Sequence, residues 1–310
     1  MRLQASTTFL SSKLWAVFTA VMMLGVLQST KAEAAGLRCQ NLMQETVAYQ
    51  VNLPQNLRTH RESEVNRLSA GDVNRLNSQM IQHLKRFVPA RMAGKASGIN
   101  LADAQRVLKV ISDHPVTGHM AYDRYNRPDE NVGFCFGRAA FTHLLLLKMG
   151  LSRDSIVKVW AVGPMRTPGV TWDFHVASAA YVNGKGWLVL DTNYDAPMKL
   201  ETWFGKMQEQ NRQMDRKLRL YVTEPNKFGL ELGKYDRIQM GLDLNRENDW
   251  YQHYFVDMMN DLSSRSLADY GLQRLPVDSA SRPSSGNSAK ESSSAAPSSR
   301  PSFWDRWFRR

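Results

Sequence analysis

Three residues of this chain have the types and spacing to do covalent chemistry. Cys135 stands in Asn131-Val-Gly-Phe-Cys-Phe-Gly-Arg-Ala-Ala140, directly before the apolar run Phe141 to Leu147, and is one of only two cysteines. His175 follows in Trp172-Asp-Phe-His-Val-Ala177, and Asp191 in Trp187-Leu-Val-Leu-Asp-Thr-Asn193, each inside a short strand-like segment. A thiol, an imidazole and a carboxylate in that order suggest a cysteine nucleophile with its base and the group that orients the base. Taken singly, a cysteine before an apolar helix also fits a core thiol, and a strand histidine a structural role. The order, the element types and the flanking Gly133 and Gly137 together favour the triad.

A thiol attacks as thiolate, and an unperturbed cysteine ionises only near pH 8.5, roughly, so a nucleophile at neutral pH needs positive potential beside it. The first turn of a helix supplies that potential through its unpaired N–H groups, and a protonated imidazole adds more. Gly133 and Gly137 would let a substrate carbonyl approach the backbone, with the Cys135 N–H as an oxyanion donor. Tyr122, Tyr125 and Trp172 are the candidates for a second donor.

His175 and Asp191 can meet only if the hairpin between them has the right register, because a slip of one residue flips the face of every side chain. A two-residue loop at Asn183-Gly184 sets His175 opposite Thr192 and turns Asp191 away. A three-residue loop, Asn183 to Lys185, pairs His175 with Asn193 and Ala177 with Asp191, making His175 and Asp191 diagonal neighbours on one face. The expectation is that odd loop, or a bulge of equal effect. Asp173 shares the strand face of His175 at a poor distance for a hydrogen bond, and Asn193 is the reserve orienter.

The elements that must position these residues are legible in outline. Val73, Leu76, Met80, Ile81, Leu84 and Phe87 recur at helical spacing across Ser69 to Val88, with cap candidates in Ser69-Ala-Gly-Asp72. A second helix runs from Asn100 to Ile111 and ends at His114-Pro115. A long polar connection, His114 to Val132, leads into the Cys135 helix, expected from Phe134 to Met149. Strands are expected over Ile156 to Val162, Trp172 to Val182 and Trp187 to Asp191. There follow a polar helical stretch over Glu201 to Arg216, a strand over Leu218 to Thr223, a turn at Glu224-Pro-Asn226 and an amphipathic helix over Trp250 to Leu262. Pro276 to Ser302 is Ser/Pro/Ala-rich and expected to be disordered, with an aromatic and basic end, Phe303 to Arg310. The fold class is therefore α+β. Its parts are an N-terminal helical region (35–113), a domain carrying the triad (114–275) and a tail (276–310).

Arg2 and Lys13 precede an uncharged apolar stretch from Leu14 to Leu27, followed by Ala32-Glu-Ala34. That is the pattern of a secretory signal over residues 1–34, so the protein is expected to be exported, periplasmic or secreted. In an oxidising compartment a Cys39–Cys135 disulfide is the alternative to a reactive Cys135. The chain carries a net charge of +11, or +9 without residues 1–34. Such a surface favours anionic partners, an envelope polymer among them, while the basic helices and aromatic-basic repeats of nucleic-acid binders are missing.

The remaining histidines carry weaker signals. His114 and His119 lie five residues apart in a loop without a third ligand in view, so no metal is expected. His143 sits at a packing position two turns along the Cys135 helix, and His83 on a helix surface. No dinucleotide or phosphate-loop pattern appears, and no cofactor is expected.

The motifs Gly133-Phe-Cys-Phe-Gly-Arg-Ala-Ala140, Trp172-Asp-Phe-His-Val-Ala177 and Leu190-Asp191 resemble the core of bacterial protein-glutaminases, protein-glutamine deamidases of the transglutaminase-like, papain-related superfamily. The resemblance covers about Tyr122 to Pro197. It implies a papain/transglutaminase-like core, in which a helix bearing the cysteine packs on an antiparallel sheet bearing histidine and aspartate, mapped to Cys135, His175 and Asp191. It also implies hydrolysis of glutamine side chains in protein or peptide substrates through a thioester, with transglutaminase and cysteine peptidase chemistry open to the same triad. This chain has Thr192-Asn193 where that family commonly has Pro-Ser, a departure that bears on substrate more than on the nucleophile.

Overall fold

The computed structural model describes residues 67–125, 133–167, 170–214, 217–230, 235 and 253–277. The expected signal segment, Cys39, Trp250 and the tail beyond Val277 lie outside these residues. The chain divides into two compact units, Met1–Asp278 and Ser279–Arg310, and every described residue belongs to the first. Among the described residues no helix is long and apolar enough to cross a membrane.

The fold is a mixture of helices and one antiparallel sheet. Helices α1 (Ala70–Arg86) and α2 (Leu101–Ser112) precede a 3-10 turn at His119–Ala121, the single turn α3 (Tyr122–Tyr125) and the long α4 (Cys135–Lys148). Then come β1 (Ile156–Thr167), β2 (Val170–Val182), β3 (Gly186–Leu190), β4 (Met198–Lys199), α5 (Leu200–Asn211), β5 (Arg219–Thr223) and α6 (Tyr254–Ser264). The strand order is β4-β3-β2-β1-β5, with every neighbouring pair antiparallel.

Both N-terminal helices begin on capping side chains. Ser69 Oγ accepts from the Asp72 N–H at 3.1 Å, and Asn100 Oδ1 from the Asp103 N–H at 2.8 Å. On α1 the inner face is Val73, Met80 and Leu84, joined by an unexpected buried Asn77. The Asn77 amide donates to Leu218 O and accepts from the Leu220 N–H, both at 2.9 Å, so the helix satisfies the outer edge of β5.

The sheet separates two apolar layers, and strand parity decides which residue enters which. Val157, Val159, Ala161, Ala177, Ala179, Leu220 and Val222 face α5 and α1, meeting Leu200, Trp203, Phe204, Met207, Met80 and Leu84. On the other face α4 lies between the sheet and the helices α2 and α6, with Phe141, Leu144 and Leu145 fully buried. A helix apolar on nearly every side is what such a central position requires.

Two local features set the sheet's geometry. The β2–β3 hairpin pairs Val182 with Gly186, leaving the three-residue loop Asn183 to Lys185, with Gly184 and Gly186 at φ of 71° and 78°. β1 continues past the expected end at Val162 to Thr167, because the register shifts between Val162 and Met165. This bulge absorbs Pro164, whose missing N–H breaks a regular ladder, beside Gly163 at φ 137°. A Cβ on Gly163 would also stand 2.4 Å from Lys217 O. The helix expected over Glu201 to Arg216 is shorter, closing at Asn211 with a 3-10 turn to Met214.

Candidate active site

Helix α4 starts abruptly. Phe134, the residue before it, adopts φ 46°, ψ 19°, a left-handed conformation unfavourable for a bulky residue. Its ring is fully buried, stacked on Tyr254 at 4.5 Å between centroids and met edge-on by Tyr125 at 6.2 Å, and this packing holds the turn. No side chain among the described residues caps the helix, so the backbone N–H groups of its first turn remain open to that extent where Cys135 stands. Cys135 is a free thiol, 9% exposed, packed with Ala139, Trp160, Val176 and Tyr221.

His175 and Asp191 come from the other layer. Ser178↔Leu190 is the last β2–β3 pair, so β3 ends immediately before Asp191 and β2 continues alone on that side toward His175. The odd loop puts both side chains on the α5 face. His175 Nε2–H donates to Asp191 Oδ2 at 2.7 Å, with both side chains almost fully buried. Trp203 on α5 donates its indole N–H to the same oxygen at 2.7 Å and stacks on the imidazole at 6.0 Å, while the Asn193 N–H donates to Asp191 Oδ1 at 3.1 Å. Every acceptor position on the carboxylate that matters for orienting the imidazole is thus occupied by a directed donor.

With Nε2 committed to Asp191, Nδ1 is the nitrogen left to face a thiol, and Cys135 is close enough to act on the charge of the His175 ring. The open edge of β2 is what lets a residue from the α4 layer meet one from the α5 layer. Burial alone would push the imidazole pKa down, but the charge and hydrogen bond of Asp191, with a smaller part from Cys135, raise it to about 10. Burial would likewise raise the Asp191 carboxyl; the charge and hydrogen bond of His175 and the Trp203 and Asn193 donors bring it to about 2. At neutral pH the imidazole is therefore an imidazolium against a carboxylate and a sulfur.

Other expected participants fall differently. Tyr125 is not available as an oxyanion donor: its hydroxyl donates to Asp257 at 2.8 Å. The Tyr122 side chain lies outside the described residues. Trp172 keeps a buried indole N–H without a partner among the described residues and is the remaining candidate. Gly137 makes room for Tyr254 rather than for a substrate, since a Cβ there would sit 2.2 Å from that ring. Asp173 is exposed, and Asn193 Nδ2 stands 3.4 Å from His175 Nε2. His114 is buried and bonded to Asp261 at 2.8 Å, whereas His119 Nε2 bonds Thr192 O at 2.9 Å, so the two histidines face different partners. His143 is fully buried in α4. Two residues near the site were not anticipated. Trp203 lay in a stretch read as polar, and Arg138, 6% exposed, bonds Gly133 O at 2.9 Å and braces the turn before the helix.

No family model matches the chain, and no curated protein matches it. Among solved structures it is similar to the A47Q2 mutant of pro-protein-glutaminase, at 17% identity and a TM-score of 0.36, over 51% of this chain and 60% of that one. The chain thus matches less than two thirds of that structure's length, a distant likeness that leaves the chemistry to rest on the residues themselves.

Proposed function

We propose that this protein is an exported cysteine amidohydrolase that converts glutamine side chains of proteins or peptides to glutamate and ammonia. The observation that carries the reading is the chain of thiol, imidazole and carboxylate at the uncapped start of α4. The motifs around Cys135 and His175, which resemble those of bacterial protein-glutaminases, support a carboxamide substrate and a papain/transglutaminase-like core. Export rests on the basic, apolar and Ala-Glu-Ala pattern of residues 1–34, and the charge of +11 supports an anionic partner surface.

The Cys135 sulfur, as thiolate, forms a bond to the carboxamide carbon, and the oxyanion that develops is met by the Cys135 N–H. The C–N bond then breaks, and the imidazolium proton leaves with the nitrogen as ammonia. Neutral His175 takes a proton from water, which attacks the thioester. The sulfur departs as thiolate, the imidazolium is restored, and the product carries a carboxyl group. Asp191 stays ionised throughout and holds the ring in the tautomer that serves both steps.

Incubating the protein with a glutamine-rich denatured protein, beside its Cys135→Ala variant, tests the reading. Ammonia release with a gain of about one dalton per event, absent in the variant, is expected of side-chain hydrolysis through an acyl-enzyme. Crosslinked product would reassign the triad to transfer and shortened product to proteolysis. No product of any kind, with a slowly alkylated Cys135, would end the enzymatic reading.

A further inference from the structure

Arg219 on β5 is 3% exposed, yet none of Nε, Nη1 and Nη2 has a hydrogen-bond partner among the described residues. Its guanidinium carbon lies 5.3 Å from the centre of the Tyr221 ring, a contact that orients the plane without satisfying any N–H. Guanidinium has five N–H donors and a charge that cannot be shed, so burying it unpaired is costly. A fold retains such a group where something else supplies the acceptors.

Register locates it relative to the triad. Arg219 pairs with Val162, and Val162 with Phe174, forming one row across β5, β1 and β2. The next row is Tyr221, Trp160 and Val176, the residues that pack with Cys135, so both rows lie on the same face of the sheet. Phe174 immediately precedes His175 and is 41% exposed, in ring contact with Trp160. The row therefore runs from an open aromatic edge beside the triad to a closed cationic end two strand spacings away, about 10 Å. Residues two or three apart in an extended peptide can bridge that length.

We propose that this row is a substrate groove in which Arg219 binds a carboxylate, so that the thiol site acts on glutamines with an acidic residue two or three positions away. The inference rests on the proposed function. The planar guanidinium fork matches a carboxylate through two parallel hydrogen bonds, which selects an acidic side chain over a neutral one.

Calorimetric titration of the full chain carrying Cys135→Ala tests it without turnover. The probes are blocked heptapeptides with a central glutamine and, two and three residues away on each side, either glutamate or its γ-methyl ester. The acid form is expected to bind about tenfold more tightly or better. The preference should vanish in Arg219→Met and survive in Lys185→Met, a change on the hairpin loop. Equal affinity for the two peptides, no binding of either, or a preference that survives Arg219→Met overturns the proposal. Ammonia release by the Cys135 protein is read separately. An acid preference in binding without ammonia from either peptide sinks the glutamine reading and leaves the groove. Equal kcat/KM for both peptides does the reverse. Arg219→Met alone is expected to raise the melting midpoint by a few degrees, since it removes an unpaired buried cation. A fall would mean that a carboxylate of the chain itself pairs with Arg219, and the groove would be lost.

Discussion

Asp191 tests how far the site depends on charge rather than shape. Asn at that position keeps the volume, but it neither compensates an imidazolium nor fixes its tautomer. Asp191→Asn should lower kcat for ammonia release by about two to four orders of magnitude while circular dichroism stays unchanged. The same coupling sets a pH dependence. His175 has its folded pKa raised from 6.5 to about 10, so its contribution to stability is fully present below 6.5 and lost as pH rises through 10. The melting midpoint of the native protein should therefore exceed that of His175→Gln most in mild acid, and the gap should close toward pH 10. A gap that widens with pH would contradict the assignment. Cys135 and His175 stood out in the sequence because cysteine and histidine are scarce in this chain, and Asp191 because it ends an apolar strand one hairpin away from His175. Trp203 could not, because an indole N–H serving a carboxylate twelve residues earlier looks the same in sequence as any core tryptophan.

At the scale of elements, α4 carries the candidate nucleophile at its start and packs the core along its length. Gly137 faces the Tyr254 ring, and a methyl group there would collide with it. Gly137→Ala should cost about 1–3 kcal/mol in chemical denaturation by overpacking, and should slow alkylation of Cys135 as the helix start shifts. The parity argument for the hairpin needed only the requirement that His175 and Asp191 share a face, and the loop Asn183 to Lys185 has that parity. The true length of β1 was hidden because Pro164 reads as a stop, whereas the bulge at Gly163 lets the ladder resume at Met165. The first turn of α4 was hidden for a related reason: a phenylalanine in left-handed geometry is held by Tyr254 and Tyr125, rings far away in sequence.

For the whole molecule, the boundary at Asp278 is the informative one. The chain closes on itself just before it: the Leu275 N–H donates to Met149 O at 2.8 Å, at the far end of the Cys135 helix. Asp261 on α6 gathers His114, Tyr270 and Arg265, tying α2's C-terminal turn to this closing segment. A chain ending at Asp278 should keep the full-length melting midpoint and thiol reactivity. One ending at Leu267 should lose several degrees, as read by differential scanning calorimetry. The mixed helix and sheet class was readable from the succession of periodicities, but the order of the layers was not. That order depends on which strand face each helix covers, and here the side of α1 is settled by Asn77 on the β5 edge, a polar residue inside an apolar stripe.

The triad draws its sulfur from one side of the sheet and its imidazole from the other, meeting where β3 has stopped. Neither half-assembled layer holds the thiol, the imidazole and the carboxylate together. An incompletely folded chain passing through a crowded compartment would carry an ordinary, sluggish thiol, unable to attack its own carboxamides or those of its neighbours. The rate at which Cys135 is alkylated would then serve as a clock for folding, changing only when the last layer has closed.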